Sequence, residues 1–159
     1  MVVRPIRALA LTTAGAFAGF AAAAAAVKHA LPSRGEEESD ELALVAVFDG
    51  IELKSRASSF RGGSIFAWFG GISLDLREAT LAPDAQLSVN ALFGGIAIRV
   101  PPEWRLESEL DALAGGVDVR PGAESPDAPT LRLEGRALFG GIAVGARKPN
   151  DDEPEVSDT

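Results

Sequence analysis

Five near-copies of one six-residue unit, Ala-x-Phe-Gly-Gly-Ile, recur through the last two thirds of the chain. A repeat of this kind restricts the fold more than any other feature of the sequence. The copies are Ala46-Val-Phe-Asp-Gly-Ile51, Ala67-Trp-Phe-Gly-Gly-Ile72, Ala91-Leu-Phe-Gly-Gly-Ile96, Ala112-Leu-Ala-Gly-Gly-Val117 and Ala137-Leu-Phe-Gly-Gly-Ile142. They start 21, 24, 21 and 25 residues apart. Asp49 replaces the first glycine of the first copy, and Ala114 replaces the phenylalanine of the fourth.

The sequence alternates after each unit, as in Ile72-Ser-Leu-Asp-Leu76 and Ile96-Ala-Ile-Arg-Val100, and before it, as in Leu87-Ser-Val-Asn-Ala91. A period of two with aliphatic residues on one side is the pattern of a half-buried strand. The pairs Gly70-Gly71, Gly94-Gly95, Gly115-Gly116 and Gly140-Gly141 fall between two such strands, where the chain bends and backbones approach closely. Three short strands and three corners would use one repeat length. The fold class implied is therefore all-β, a single-stranded β-helix or solenoid of about five short coils. Consecutive coils pair in parallel and stack to about 24 Å at the usual strand spacing. An antiparallel sandwich of hairpins is the rival architecture.

Stacking makes specific demands on the repeated side chains. Phe48, Phe69, Phe93 and Phe139 are expected to form an internal column, interrupted at Ala114. Ile51, Ile72, Ile96, Val117 and Ile142 form an aliphatic column beside it, and Ala46, Ala67, Ala91, Ala112 and Ala137 line a tight corner. The variable position of the unit holds Val47, Trp68, Leu92, Leu113 and Leu138, which alternation turns away from the phenylalanines. That stripe is a candidate surface for protein contact or self-association, unless a linker or tail covers it.

Arg4 and Arg7 precede a run from Ala8 to Val27 without a charge, closed by Lys28. Twenty helical residues span about 30 Å, the thickness of a hydrocarbon core. Residues 1–30 read as a retained single-pass membrane anchor, with a cleaved signal peptide and a soluble alanine-rich helix as competing readings. A short basic N-terminal tail stays in the cytoplasm more easily than it is exported, which places the rest of the chain outside the cytoplasm. Residues 31–42 are an acidic linker, 43–148 the repeat domain, and 149–159 a disordered acidic tail.

Beyond the repeat itself, Phe69-Gly-Gly-Ile-x-Leu-Asp-Leu-Arg77 and Phe93-Gly-Gly-Ile-x-Ile-Arg-Val-Pro-Pro-Glu-Trp104 resemble the C-terminal domain of LiaF-like bacterial proteins. So do Ser59-Phe-Arg-Gly-Gly63, Gly115-Gly-Val117 and Leu138-Phe-Gly-Gly-Ile142, and the order of the unequal units matches as well. The resemblance spans about residues 45–144. It implies a β-helical domain beside membrane segments, a response to cell-wall-active antibiotics, and a partner among envelope-stress two-component signalling proteins. The family has no catalytic residues to carry over. A single candidate span, where the family has several, weakens the case for control of a sensor kinase through the membrane.

The chain offers little for catalysis. It has no cysteine, and its one histidine, His29, lies beside the apolar run and before the domain. A serine triad therefore lacks its base, and zinc would have only carboxylates to bind. Glu103, Glu107, Glu109 and Asp111 lie close together, but no aromatic cleft accompanies them, and a solvated face explains them. Strand-like sequence follows every glycine pair, where a phosphate loop needs a helix. Pro101-Pro102 ends a strand and opens a turn over which Trp104 packs. A net charge of −8 without a basic stripe argues against nucleic acid. No catalytic, cofactor or metal-binding residue is expected, and the function implied is that of a non-catalytic interaction module. The alternative is a scaffold that assembles end to end, as bactofilins do.

Overall fold

The computed structural model describes residues 35–146. The expected anchor, the tail and linker residues 31–34 lie outside the described residues; the rest of the linker is described, and its last two residues, Glu41 and Leu42, belong to the first strand. All regular structure among the described residues is β: β1 (Glu41–Val47), β2 (Gly50–Lys54), β3 (Phe60–Trp68), β4 (Gly71–Asp75), β5 (Leu81–Ala91), β6 (Gly95–Val100), β7 (Arg105–Leu113), β8 (Gly116–Arg120), β9 (Thr130–Leu138) and β10 (Gly141–Ala146). Each repeat supplies two strands rather than the expected three. The first enters one five-stranded sheet and the second enters another, and all pairings are parallel. The result is a solenoid flattened into two sheets.

The stacking order departs from sequence order. One sheet runs β1-β3-β5-β9-β7 and the other β2-β4-β6-β10-β8. The fifth repeat is therefore inserted between the third and the fourth, and the fourth forms an end of the stack. The register follows the repeat throughout. Ala46 pairs with Ala67, Ala67 with Ala91, Ala91 with Ala137, and Ala137 with Ala112. In the second sheet Ile51, Ile72, Ile96, Ile142 and Val117 stand in line.

The core lies between the two sheets. Leu42, Leu44, Ile65, Leu87, Val89, Leu131 and Leu133 meet Ile72, Leu74, Ile96, Ile98, Ile142 and Val144, all buried. Phe60 and Trp104, at the start of β3 and just before β7, are buried with them. Trp104 thus belongs to the core rather than to a cover over the proline turn, where its amide donates to the Pro101 carbonyl at 3.2 Å.

Two expectations about the side-chain columns fail. The phenylalanines are outside the core: Phe48, Phe93 and Phe139 are 54%, 44% and 60% exposed. The column is also unbroken, because the fourth repeat lies at the end and Ala114 terminates the ladder instead of interrupting it. The alanine column is buried at Ala46, Ala67, Ala91 and Ala137, whereas Ala112, on the end strand, is exposed.

Candidate interaction surface

The Phe-Gly-Gly corner connects the two sheets. Phe48, Phe69, Ala114 and Phe139 have φ between 52° and 55°, the left-handed region. A residue there reverses the chain within one step and throws its side chain outward. The first glycine comes next. A Cβ on Gly70, Gly94, Gly140 or Gly115 would lie within 2.1–2.3 Å of a carbonyl oxygen in the adjacent repeat, that of Asp49, Gly70, Gly94 and Gly140 respectively. The same carbonyls accept hydrogen bonds of 3.0–3.1 Å from the amides of Gly71, Gly95, Gly141 and Gly116. A side chain at the first position would therefore break the corner ladder, and glycine is obligatory wherever a repeat lies on that side. Asp49 is the exception for a geometric reason. The strand it leads into, β2, is at the edge of its sheet, so among the described residues no repeat lies where its Cβ points. Its carboxylate accepts a bond from the Gly50 amide at 2.8 Å.

The second glycines obey no such constraint. A Cβ on Gly50, Gly95 or Gly116 would meet nothing within 4 Å, and on Gly71 or Gly141 only a distant carbonyl, and none of the five has positive φ. Neither packing nor backbone conformation calls for glycine at these five positions. Together they floor a shallow, largely apolar groove of about 900 Å³ on the outer face of the second sheet. Ile51, Ile72, Ile96, Val117 and Ile142 run beneath it, and Ser73, Ala97 and Ala143 continue it.

Beside this column stands the phenylalanine ladder. Ring centroids are 5.2 Å apart between Phe48 and Phe69, 4.6 Å between Phe69 and Phe93, and 5.2 Å between Phe93 and Phe139, with interplanar angles of 14°, 19° and 7°. Strand spacing sets this separation, since each repeat carries its ring about 4.8 Å from the next. Such stacked pairs contribute about 0.5–1.5 kcal/mol beyond their buried area. Trp68 lies 6.3 Å from Phe69.

The candidate surface named from the sequence divides. Trp68, Leu92 and Leu138 are half-buried, Val47 is buried, and Leu113 is 66% exposed at the end of the stack. Alternation did not turn this column away from the phenylalanines: both lie on the outside, and the rings are the more exposed of the two. The ladder as a surface was missed because a strict period of two assigns Phe48 and its equivalents to the interior. The left-handed residue at the corner breaks that period.

Two ionic features lie elsewhere. Arg77 holds both Asp75 carboxylate oxygens, with Nη2 at 2.7 Å and Nε at 2.9 Å. Burial is the largest single influence on Asp75 and raises its pKa, but the hydrogen bonds and charge of Arg77 together outweigh it and leave the carboxyl below its ordinary value. Lys54 and Arg56 converge on Glu78, in an exposed cluster of small energetic weight.

Glu107, Glu109 and Asp111 are exposed along the end strand β7, and Glu103 is exposed in the turn before it. Among the described residues no group of three metal-ligating side chains occurs, and no helix is long and apolar enough to cross a membrane. No family model, curated protein or solved structure matches the chain.

Proposed function

We propose that this chain is a non-catalytic protein-interaction module whose working surface is the phenylalanine ladder and the glycine-floored groove beside it. One observation carries the reading: Phe48, Phe93 and Phe139 are exposed, and Phe48 and Phe139 stand at left-handed backbone positions of a kind that alanine also fills. Ala114 makes the same turn with φ 53°. The penalty of about 1–2 kcal/mol in that region comes from the Cβ, which alanine and phenylalanine share. The turn therefore does not explain the rings, and the core does not use them. The unforced glycines at 50, 71, 95, 116 and 141 add to this, because they keep the adjacent face flat and open. Contiguous apolar surface of this kind marks a contact site.

The setting follows from the sequence. Residues 8–27 tether the module to a cell membrane, with the domain outside the cytoplasm. The resemblance to LiaF-like domains points to an accessory role in the bacterial response to cell-wall-active antibiotics. The partner is then a protein of that response, and a two-component signalling protein is the first to test.

A photo-crosslinking residue at position 93 in the full-length, membrane-inserted protein should trap that partner. Gly95→Val, which fills the groove where space is open, should abolish the crosslink while leaving thermal unfolding unchanged. Crosslinking that persists in Gly95→Val and in Phe69→Ser/Phe139→Ser would remove the surface from consideration. The alternative, an end-to-end scaffold, is weaker because of Asp49: another repeat stacked on β2 in register would bring a carbonyl against its Cβ.

A further inference from the structure

The two ends of the stack differ. At the first, the core-facing residues of β1, Leu42, Leu44 and Ala46, are 1%, 3% and 0% exposed, and Gly35 lies against Leu42. Among the described residues both ends pair on one side only, β1 with β3 and β2 with β4 at the first, β7 with β9 and β8 with β10 at the other. There the equivalent residues of β7 are open, Leu106 and Leu110 half-exposed and Ser108 and Ala112 exposed, whereas the second strands are alike at both ends, Ile51 and Leu53 of β2 being half-exposed like Val117 and Val119 of β8. Unpaired strand edges over an open core are normally covered or guarded.

The outward face of β7 shows what would cover this one. It carries Glu107, Glu109 and Asp111. On the paired side, Arg132 of β9 stands opposite Glu107, with its Nε 3.3 Å from the carboxylate, and Arg136 stands opposite Asp111, while between them Glu134 stands opposite Glu109. On the open side no strand among the described residues supplies such charges. Two ways of closing the edge with a second copy are disfavoured. A two-fold antiparallel pairing of β7 centred on Glu109 sets Glu109 against itself and Glu107 against Asp111, and like charges directly opposite destabilise a strand pair. Head-to-tail stacking of this end onto β1–β2 of another copy places the Gly115 carbonyl against the Cβ of Asp49, by the contact that makes glycine obligatory at 70, 94, 115 and 140.

We propose that the β7 edge accepts a basic, extended segment of another protein, which adds to the sheet as a parallel strand with arginine or lysine opposite Glu107 and Asp111. Main-chain bonds supply the affinity, and the charged column sets register and partner choice. Apolar residues alternating with the basic ones would cover Leu106 and Leu110. This site is separate from the phenylalanine ladder and does not depend on it.

The test uses full-length protein in detergent and a labelled nonapeptide copying β9 with its glutamate made basic, Thr-Leu-Arg-Leu-Lys-Gly-Arg-Ala-Leu. Binding by fluorescence anisotropy should weaken as salt is raised. It should fall at least tenfold in Glu107→Gln/Glu109→Gln/Asp111→Asn, whose side chains are exposed so that the fold survives. Amide exchange of β7 should slow on binding while that of β9 stays unchanged. The proposal is overturned if the peptide does not bind, if the triple variant binds it equally well, or if protection appears elsewhere. It is also overturned if β7 amides are already protected in a concentration-dependent oligomer without peptide. Gly95→Val, which blocks the groove, should leave peptide binding intact.

Discussion

Replacing Leu133 and Leu110 separately by alanine tests the stacking order with one chemical change made in adjacent strands. Leu133 of β9 is 1% exposed, and its strand is bounded by β5 and β7, pairing with Leu87 and Ser108. Truncating a fully buried leucine removes its transfer energy and leaves a cavity, together about 2–5 kcal/mol. Leu110 of β7 faces the open end, half-buried and opposite Gly135. Its loss forfeits roughly half the transfer term and leaves no enclosed void, about 1 kcal/mol. Leu133→Ala should therefore cost about three times as much as Leu110→Ala, a large share of the 5–15 kcal/mol by which a domain is normally stable. Urea unfolding of the full-length protein, followed by circular dichroism, measures both. The m-values should match that of the parent, so that the midpoints report stability alone. Repeats stacked in sequence order would make β9 the end strand and β7 an inner one, and the costs would reverse. A Leu110→Ala variant as damaged as Leu133→Ala would refute the order and the argument about the open end with it.

The two glycines of one pair should behave oppositely. Gly94→Ala forces a Cβ to within 2.2 Å of the Gly70 carbonyl and should cost more than 2 kcal/mol, whereas Gly95→Ala meets open space and should fall within about 0.5 kcal/mol of the parent, by the same unfolding assay. Phe93→Ala removes two stacked ring contacts from a half-exposed site and should cost about 1–2 kcal/mol without altering the circular dichroism spectrum. Because the Asp75 carboxyl is depressed in the folded protein, its contribution to stability is present above the ordinary carboxylate pKa and is lost as pH falls through the depressed value. Carbon-detected NMR titration should find Asp75 below ordinary aspartates and returning upward in Arg77→Ala; titration at or above the ordinary value would contradict the pairing.

Much of the fold was legible because the repeat period and the alternation are independent signals that agree. Ile72, Ile96 and Ile142 fall into one buried column as their spacing required, and the glycine pairs stand at the bends. What the alternation could not reveal is backbone handedness: a single left-handed residue turned Phe48, Phe69 and Phe139 outward. Phe60 is core without a sign in the repeat pattern, because it precedes the repeat unit. Gly62 and Gly63 were noted only for their place in a family pattern. Both have positive φ within β3, where a Cβ would strike the backbone of Gln86 and Leu42.

Stacking order was hidden because identical units carry no information about which neighbour each prefers. A signal did exist, since end repeats of a solenoid are polar and atypical. The first and fourth copies are the two that deviate, at Asp49 and Ala114, and the fourth also holds Glu107, Glu109 and Asp111. These are the repeats at the two ends.

The insertion of β9 and β10 has a consequence for how the molecule is made. A ribosome delivers the strands on both flanks before the pair that unites them, leaving a slot about 9.6 Å wide, two strand spacings, between β5 and β7. Residues 130–146 enter that slot only after both flanks have been made. A nascent chain stalled before residue 130 would present three stacked repeats and a fourth not joined to them, and loss of residues 130–146 would strike the middle of the stack rather than its end.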